Sequence, residues 1–219
     1  MSGGELFIKV FNDPMYAENG IVLSLGDGRP CWIIDPGLPP QAESIVAHLA
    51  DRRLCPEAII ATHAHGDHIA GIDEIRQTHA DLPVHLGKPE WEMLADPAKN
   101  LSALHGAGVA AAADNLRDLV PGEQLQLDGT TWEVLDTSGH SPGGRSIYCR
   151  EMKIAFVGDA VFAGSIGRVD FPHSDGERLL QNIRDHIMNL PAETTLIPGH
   201  GPSTTVGAER ESNPFLQGM

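Results

Sequence analysis

Cysteine is scarce in this chain, basic side chains are few, and no hydrophobic run approaches membrane-spanning length. The three cysteines, Cys31, Cys55 and Cys149, are odd in number, far apart and in no CxxC pair. They read as buried or free thiols in a reducing compartment. Lys and Arg total 15 against 30 Asp and Glu, a net charge of −15. Phosphate backbones need a basic face, so nucleic acid is excluded as a substrate, whereas a small anion is not. The first residues, Met1-Ser2-Gly3-Gly4-Glu5, lack the basic and apolar regions of a signal peptide. The expectation is a cytoplasmic protein with no membrane partner. Low-complexity linkers and short-period repeats are absent as well. A chain of 219 residues, 41% hydrophobic, has an ordinary globular composition and fills one large domain or two small ones.

What is present is metal-capable chemistry. Residues 62–68 read Thr-His-Ala-His-Gly-Asp-His. His63, His65, Asp67 and His68 fall between an apolar, strand-like run at 57–61 and a segment where Ile69, Ile72 and Ile75 recur at helical spacing. In an extended strand end, residues two apart project to one side, so His63 and His65 suit one ion. Gly66 permits a sharp turn, after which Asp67 and His68 point elsewhere and suit a second ion. A lone His is usually a cap or a surface residue. Three His and an Asp in one short turn call for a fuller ligand shell.

Three further segments repeat the same design: an apolar run, a glycine, then a metal-capable side chain. They end in Gly139-His140, Gly158-Asp159 and Gly199-His200. Ligands at strand ends along one sheet edge converge on rigid supports. The resulting seven candidates, His63, His65, Asp67, His68, His140, Asp159 and His200, suffice for two adjacent ions sharing a carboxylate. A structural zinc closes with four ligands and no open position, so the surplus favours catalysis. Zinc comes first, and iron or manganese also suits imidazole and carboxylate ligands.

The pattern predicts strands at 6–11, 21–25 and 31–34, with a hairpin turn at Gly26-Asp27-Gly28. A helix follows Pro39-Pro40, the motif strand comes next, and one helix is expected from Asp67 to about His79. Further strands are predicted at 83–86, 124–127, 131–135, 146–149, 153–157 and 194–197. The last expected helix covers 176–190, with Asp175 as its N-cap. The stretch 91–121 is the least legible. Ala110 to Ala113 favours helix, Gly106 and Gly108 interrupt it, and the stretch is either a loop bordering the site or a surface connection. With ligands in both halves, two sheets packed face to face are expected, helices outside and the site between their edges.

The motif at 62–68, together with His140, Asp159 and His200, resembles the metallo-β-lactamase superfamily across nearly the whole chain. The resemblance implies an α/β fold: an αββα sandwich of two mixed sheets flanked by helices, as one domain over 1–219. It implies a dinuclear centre with His63, His65 and His140 on one ion, Asp67, His68 and His200 on the other, and Asp159 bridging. No cysteine stands at the fourth motif, unlike many β-lactamases of the superfamily. RNA-processing branches add basic surfaces that this acidic chain lacks. The diiron flavoprotein branch carries Glu where His65 stands. The segment 158–172, the Pro198-Gly199-His200-Gly201 motif and the ending around 209–216 are similar to short (YcbL-type) members of the glyoxalase II, or hydroxyacylglutathione hydrolase, group.

The activity so implied is hydrolysis of an anionic small-molecule thioester of the S-lactoylglutathione type, with Asp67 orienting the nucleophilic water. The longer members bind glutathione through a C-terminal helical domain, and only 19 residues follow His200 here. Arg168 stands where the family places a basic substrate contact. Its other reading is a structural ion pair. Asp35 is either a partner that fixes a ligand histidine or simply the turn residue of Asp-Pro-Gly. His48, His79, His85, His105, His173 and His186 lack motif context, and surface or packing roles are expected for them. Alternatives are a mononuclear-iron persulfide dioxygenase, a lactonase or other thioesterase of the same fold, and a metal-binding scaffold without turnover. The sequence does not set the oligomeric state.

Overall fold

In the computed structural model, which describes residues 6–112 and 114–217, alternating apolar residues pair two stacked sheets. The first sheet runs in chain order through β1 (Phe7–Asn12), β2 (Asn19–Ser24), β3 (Pro30–Ile34), β4 (Cys55–Ile60), β5 (Val84–Leu86) and β6 (Leu116–Asp118). Its β1–β3 part is antiparallel and its β3–β6 part parallel. The second sheet contains β7 (Gln124–Leu127), β8 (Thr130–Asp136), β9 (Arg145–Cys149) and β10 (Ile154–Gly158). After a short hairpin of β11 (Val161–Phe162) and β12 (Ser165–Ile166), it is completed by β13 (Thr195–Pro198) and β14 (Thr204–Thr205). β13 lies parallel to β10, so the sheet is mixed.

The period of two along the strands sorts the core into layers. On β3, Trp32 and Ile34 face the second sheet, where they meet Trp132, Val134 and Phe156. Cys31 and Ile33 face the other way, onto helix α1 (Gln41–Arg52) and helix α3 (Ile72–Thr78), through Ile45, Leu49, Ile72 and Ile75. On β10, Ala155 and Val157 face helix α4 (Gly176–Asn182), its π-helical continuation Ile183–Ile187, and helix α5 (Val206–Ser212). The order is therefore helix, sheet, sheet, helix, the αββα sandwich that the sequence led us to expect. Among the described residues no helix is long and apolar enough to cross a membrane. Cys31, Cys55 and Cys149 are all free thiols.

Several expectations are corrected. The single helix expected from Asp67 to His79 is two helices, α2 (Gly66–Ile69) and α3, broken at Ala70-Gly71. A Cβ on Gly71 would lie 2.6 Å from the Pro36 carbonyl oxygen and 2.7 Å from Ala42 Cβ, so the chain turns there to pack on the 36–42 segment. The helical expectation for 110–113 fails where it is described. Val109, Ala111 and Ala112 donate their amides to Ser102 Oγ, Leu94 O and Asp73 Oδ1 instead of to a helix, and Ala113 lies outside the described residues. The 176–190 helix ends its regular part at Asn182 and is not the last, since α5 follows. Asp175 caps α4 as expected, accepting from Arg178 N at 3.0 Å. β6, the β11–β12 hairpin and β14 carry no pattern that the sequence reading found. The N-terminal segment 1–5, read above for a signal peptide, lies outside the described residues.

Candidate metal centre

β4 delivers Thr62 and His63 to the edge of the first sheet, and α2 starts immediately afterwards, with His65 as its N-cap residue. His140 leaves the loop after β8, Asp159 the end of β10, and His200 the end of β13. Strand ends of both sheets thus meet at one rim. The structure brings all seven sequence-predicted ligand residues together in three overlapping groups: His63, His65 and His140; His63, His68 and Asp159; Asp67, His68 and His200.

In the first group, His65 Nδ1 lies 2.9 Å from His63 Nε2 and 3.0 Å from His140 Nε2. At the other end, His68 Nε2 and His200 Nε2 are 3.1 Å apart, and His200 Nε2 is 3.3 Å from Asp67 Oδ2. Asp159 stands between the groups. Its Oδ2 is 3.5 Å from both His140 Nε2 and His200 Nε2, and its Oδ1 is 3.5 Å from His68 Nε2. That is the placement a bridging carboxylate needs.

The outer ring nitrogens fix which way the imidazoles present their lone pairs. His140 Nδ1 donates to Arg168 O and His200 Nδ1 to Tyr16 O, each at 2.8 Å. A carbonyl only accepts, so both protons sit on Nδ1 and the Nε2 lone pairs point inward. His68 Nδ1 lies 3.1 Å from Asp35 Oδ2. Asp35, buried at φ +46°, also accepts from the Thr62 amide and hydroxyl, each at 2.7 Å. Both readings of Asp35 therefore hold: it makes the turn and it orients a ligand histidine. Inward lone pairs some 3 Å apart repel unless a cation lies between them, and Asp159 Oδ1 is buried without a hydrogen-bond partner. The donor set fits divalent cations. With three imidazoles in one outer group, two imidazoles and a carboxylate in the other, and Asp159 between them, it does not single out one metal.

Charge sorts the two outer groups. Burial, with His68 and His65 close by, pushes the His63 imidazole well below its ordinary value, and burial with His140 does the same to His65. Burial also opposes a charge on His68, yet Asp159, Asp67 and Asp35 outweigh it and raise that imidazole well above its ordinary value. His200 is likewise raised against burial, by its hydrogen bond to Asp67 and by Asp159. Burial works against the Asp67 carboxylate, but His68 and His200 hold it below the usual carboxylate range. The Asp67–His68–His200 group thus favours a bound proton, where burial at His63 and His65 disfavours one.

Two acidic residues behind the ligands escaped the sequence reading. Glu90, fully buried, accepts from Ala64 N in the first motif and from Ser141 Oγ and Gly143 N, each at 2.6 Å, in the His140 loop. Burial raises its carboxyl. Glu18, equally buried, has its Oε1 3.9 Å from His68 Nδ1, and neither of its oxygens has a hydrogen-bond partner. Neither lies in a recognisable motif, and only the tertiary fold buries them. Arg168 lies at the rim. Its side chain makes a two-pronged pair with Asp170, at 2.9 and 2.8 Å, and rests 4.3 Å over the Phe171 ring. His173 is exposed and lines no part of the site.

The centre opens into a cavity of about 620 Å³, within the usual size for a small-molecule site. His65, Asp67, His140, Asp159 and His200 form its floor, and Arg168 reaches its edge. Asn100, Leu101, Ser102, Ala107 and Val109 form one wall. Of the two readings of the 91–121 stretch, the loop bordering the site is the one the structure shows.

The sequence profile of the Metallo-beta-lactamase superfamily matches residues 18–200. The probable metallo-hydrolase YqgX of Bacillus subtilis is 38% identical over 86% of this chain and 88% of its own length. The hydroxyacylglutathione hydrolase GloC of Haemophilus influenzae is 34% identical, covering 87% of this chain and 89% of its own. Among solved structures, the BLEG-1 B3 metallo-beta-lactamase superposes with a TM-score of 0.88 at 39% identity, over 97% of this chain and 100% of that one.

Proposed function

The chain belongs to the metallo-beta-lactamase superfamily and is a metallo-hydrolase of that fold, and from this footing we propose that it hydrolyses small-molecule thioesters of the hydroxyacylglutathione type. The observation that carries the reading is the position of Asp159 between two histidine groups at the floor of an open cavity. A site built only to hold structural metal would be closed. The thioester preference draws support from the similarity to GloC over most of both chains.

Two divalent cations held there, zinc first and iron or manganese by the same ligand chemistry, supply Lewis acidity that activates water near neutral pH and polarises a carbonyl. His63, His65 and His140 would hold one, and Asp67, His68 and His200 the other, with Asp159 shared. The protein's own groups do the rest. Asp67, held ionised at the cavity floor, accepts a hydrogen bond from the attacking water and so aims its lone pair at the thioester carbon. Asp35 and the carbonyls of Arg168 and Tyr16 keep three imidazoles in one tautomer and one orientation. A thiolate departs without a strong general acid, so the reaction does not require one from the cavity lining. Arg168 stands at the mouth, where an anionic carrier enters, and the small molecule acts with no nucleic acid or membrane partner.

The test is steady-state hydrolysis of S-lactoylglutathione by protein of measured metal content, with a lactone and a β-lactam run in parallel. Turnover of the thioester that rises with bound metal supports the reading. Failure on every thioester at full loading, with turnover of the β-lactam, replaces it by the second reading, which the similarity to the BLEG-1 enzyme favours.

A further inference from the structure

The cavity beside the metal groups is apolar on both sides. Leu38, Leu101 and Val109 line it, as do Phe162, Phe171 and Pro202. The polar side chains of Asn100 and Ser102 are engaged in holding the wall itself. Asn100 Nδ2 donates to Met93 O at 3.1 Å and to Val109 O at 2.9 Å, and its Oδ1 accepts from Ser102 N at 3.1 Å. Ser102 Oγ accepts from Val109 N at 3.1 Å. These bonds lock Leu101 at φ +66°, a left-handed conformation that leucine seldom adopts. Strain of this kind persists where surrounding contacts fix it, and it clusters at ligand sites.

The wall is also fastened directly to the ligand loop. Gly66 N donates to Asn100 O at 2.8 Å, and a Cβ on Gly66 would lie 2.7 Å from Ser102 Cβ. A carbonyl placed at the metal floor would have this wall within reach of its substituent. Among the described residues Arg168 is the one Lys or Arg lining the cavity, and Asp170 already pairs with it. In sequence beside lining residues, Met15 is 77% exposed next to Tyr16, and Leu104 is 67% exposed two residues after Ser102.

We propose that the Leu101–Val109 wall is an acyl-chain subsite, and that the preferred substrates are thioesters of uncharged, apolar acyl groups longer than lactoyl. This rests on the thioesterase reading above and specifies its acyl side. The carrier thiol remains on the Arg168 side. Burial of each further methylene favours binding by about fourfold until the wall is filled.

The test holds the carrier constant. Acetyl-, butanoyl-, hexanoyl- and lactoyl-glutathione are compared by kcat/KM on the metal-loaded enzyme. The expected result is a rise with each pair of methylenes, with hexanoyl above lactoyl. A flat or falling series overturns the subsite while leaving the thioesterase reading intact. If no glutathione thioester is cleaved, the thioesterase reading fails on that carrier, and the same acyl series on N-acetylcysteamine decides the subsite by the same slope. Binding supplies a second measurement: S-hexylglutathione, a thioether the enzyme cannot cleave, binds more tightly than S-methylglutathione in calorimetry, and equal affinities overturn the proposal. Leu101→Asn keeps a residue that tolerates the left-handed backbone and makes the wall polar, so the dependence on chain length flattens.

Discussion

Glu90 Oε1 lies 2.6 Å from Ser141 Oγ, so a carboxylate from the first half of the chain grips the loop that carries His140 in the second half. The same carboxylate accepts from Ala64 N, between His63 and His65. All three ligands of one group therefore hang on a single buried side chain that touches none of their ring nitrogens. The seven ligand residues come from both sheets, and no strand spans the two. Through these hydrogen bonds Glu90 ties the two rims together at a fixed separation.

Glu90→Gln tests this brace. The amide nitrogen of glutamine would face backbone N–H donors, so at least one of the three bonds is lost. The expected loss in metal affinity is about 10- to 100-fold, as for partners that orient ligands in other metal sites. Thermal stability should fall by roughly 1–3 kcal/mol for the buried bonds. Metal titration and thermal unfolding read the two effects separately. Unchanged affinity with lowered stability would show that Glu90 only supports the fold.

Gly199 tests how closely the rims approach. A Cβ there would lie 2.4 Å from Asp159 Oδ1 and 2.6 Å from His68 Cε1, closer than side-chain carbons come to such atoms. Gly199→Ala must displace the carboxylate that sits between the groups. Bound metal, counted by elemental analysis, is expected to fall below that of the wild type, with the far-UV circular dichroism retained. A full metal complement would mean that the Asp159 position is not shared by the two groups.

These two residues also mark what a reader of the sequence can and cannot see. The seven candidate ligands were legible as a cluster because each sits where an apolar run meets a glycine turn, a local pattern that survives without coordinates. Gly199 belongs to that pattern. Glu90, in Lys88-Pro89-Glu90-Trp91, looks like any acidic surface turn, and only the packing of the His140 loop buries it. The sandwich was legible from the strand and helix runs in each half of the chain, with candidate ligands in both halves. The break at Gly71 was not, because its cause is contact with Pro36 and Ala42, far off in sequence. The 100–109 wall was opaque for another reason: its amides bond to irregularly spaced nearby acceptors, among them the Asn100 and Ser102 side chains, and so follow no repeating pattern.

His85 on β5 gives the fold its own pH dependence. Its Nδ1 is buried without a partner, and burial, then the Arg117 charge, bring the imidazole down to about 4. In the unfolded chain it takes up a proton near pH 6.5. Between these values the unfolded state binds more protons, so stability is present above pH ~6.5 and is lost as pH falls through that window. The whole shift corresponds to roughly 3 kcal/mol. Urea unfolding of His85→Leu is expected to show a flatter stability profile between these pH values than the wild type. Parallel profiles would place the acid sensitivity elsewhere.

Metal loading should release protons from one group more than from the other. His63 and His65 are held neutral by burial, so filling the first group displaces few protons. In the second, Asp159, Asp67 and Asp35 raise the His68 imidazole well above its ordinary value against burial, and His200 is raised beside it. A cation entering there must expel those protons. For the metal-free fold the sign is the reverse of the usual acid loss. The raised value of His68 contributes stability that is present below its unfolded value and is lost as pH rises through its folded one. Metal affinity therefore climbs over the same range in which the metal-free protein weakens, and the thermal shift on adding zinc grows with pH. Calorimetric titration in two buffers of different ionisation heat counts the protons. Asp35→Asn removes one of the carboxylates that charge His68 and should reduce the count for the second equivalent. Identical proton release for both equivalents would contradict the division of the site into a neutral and a proton-holding group.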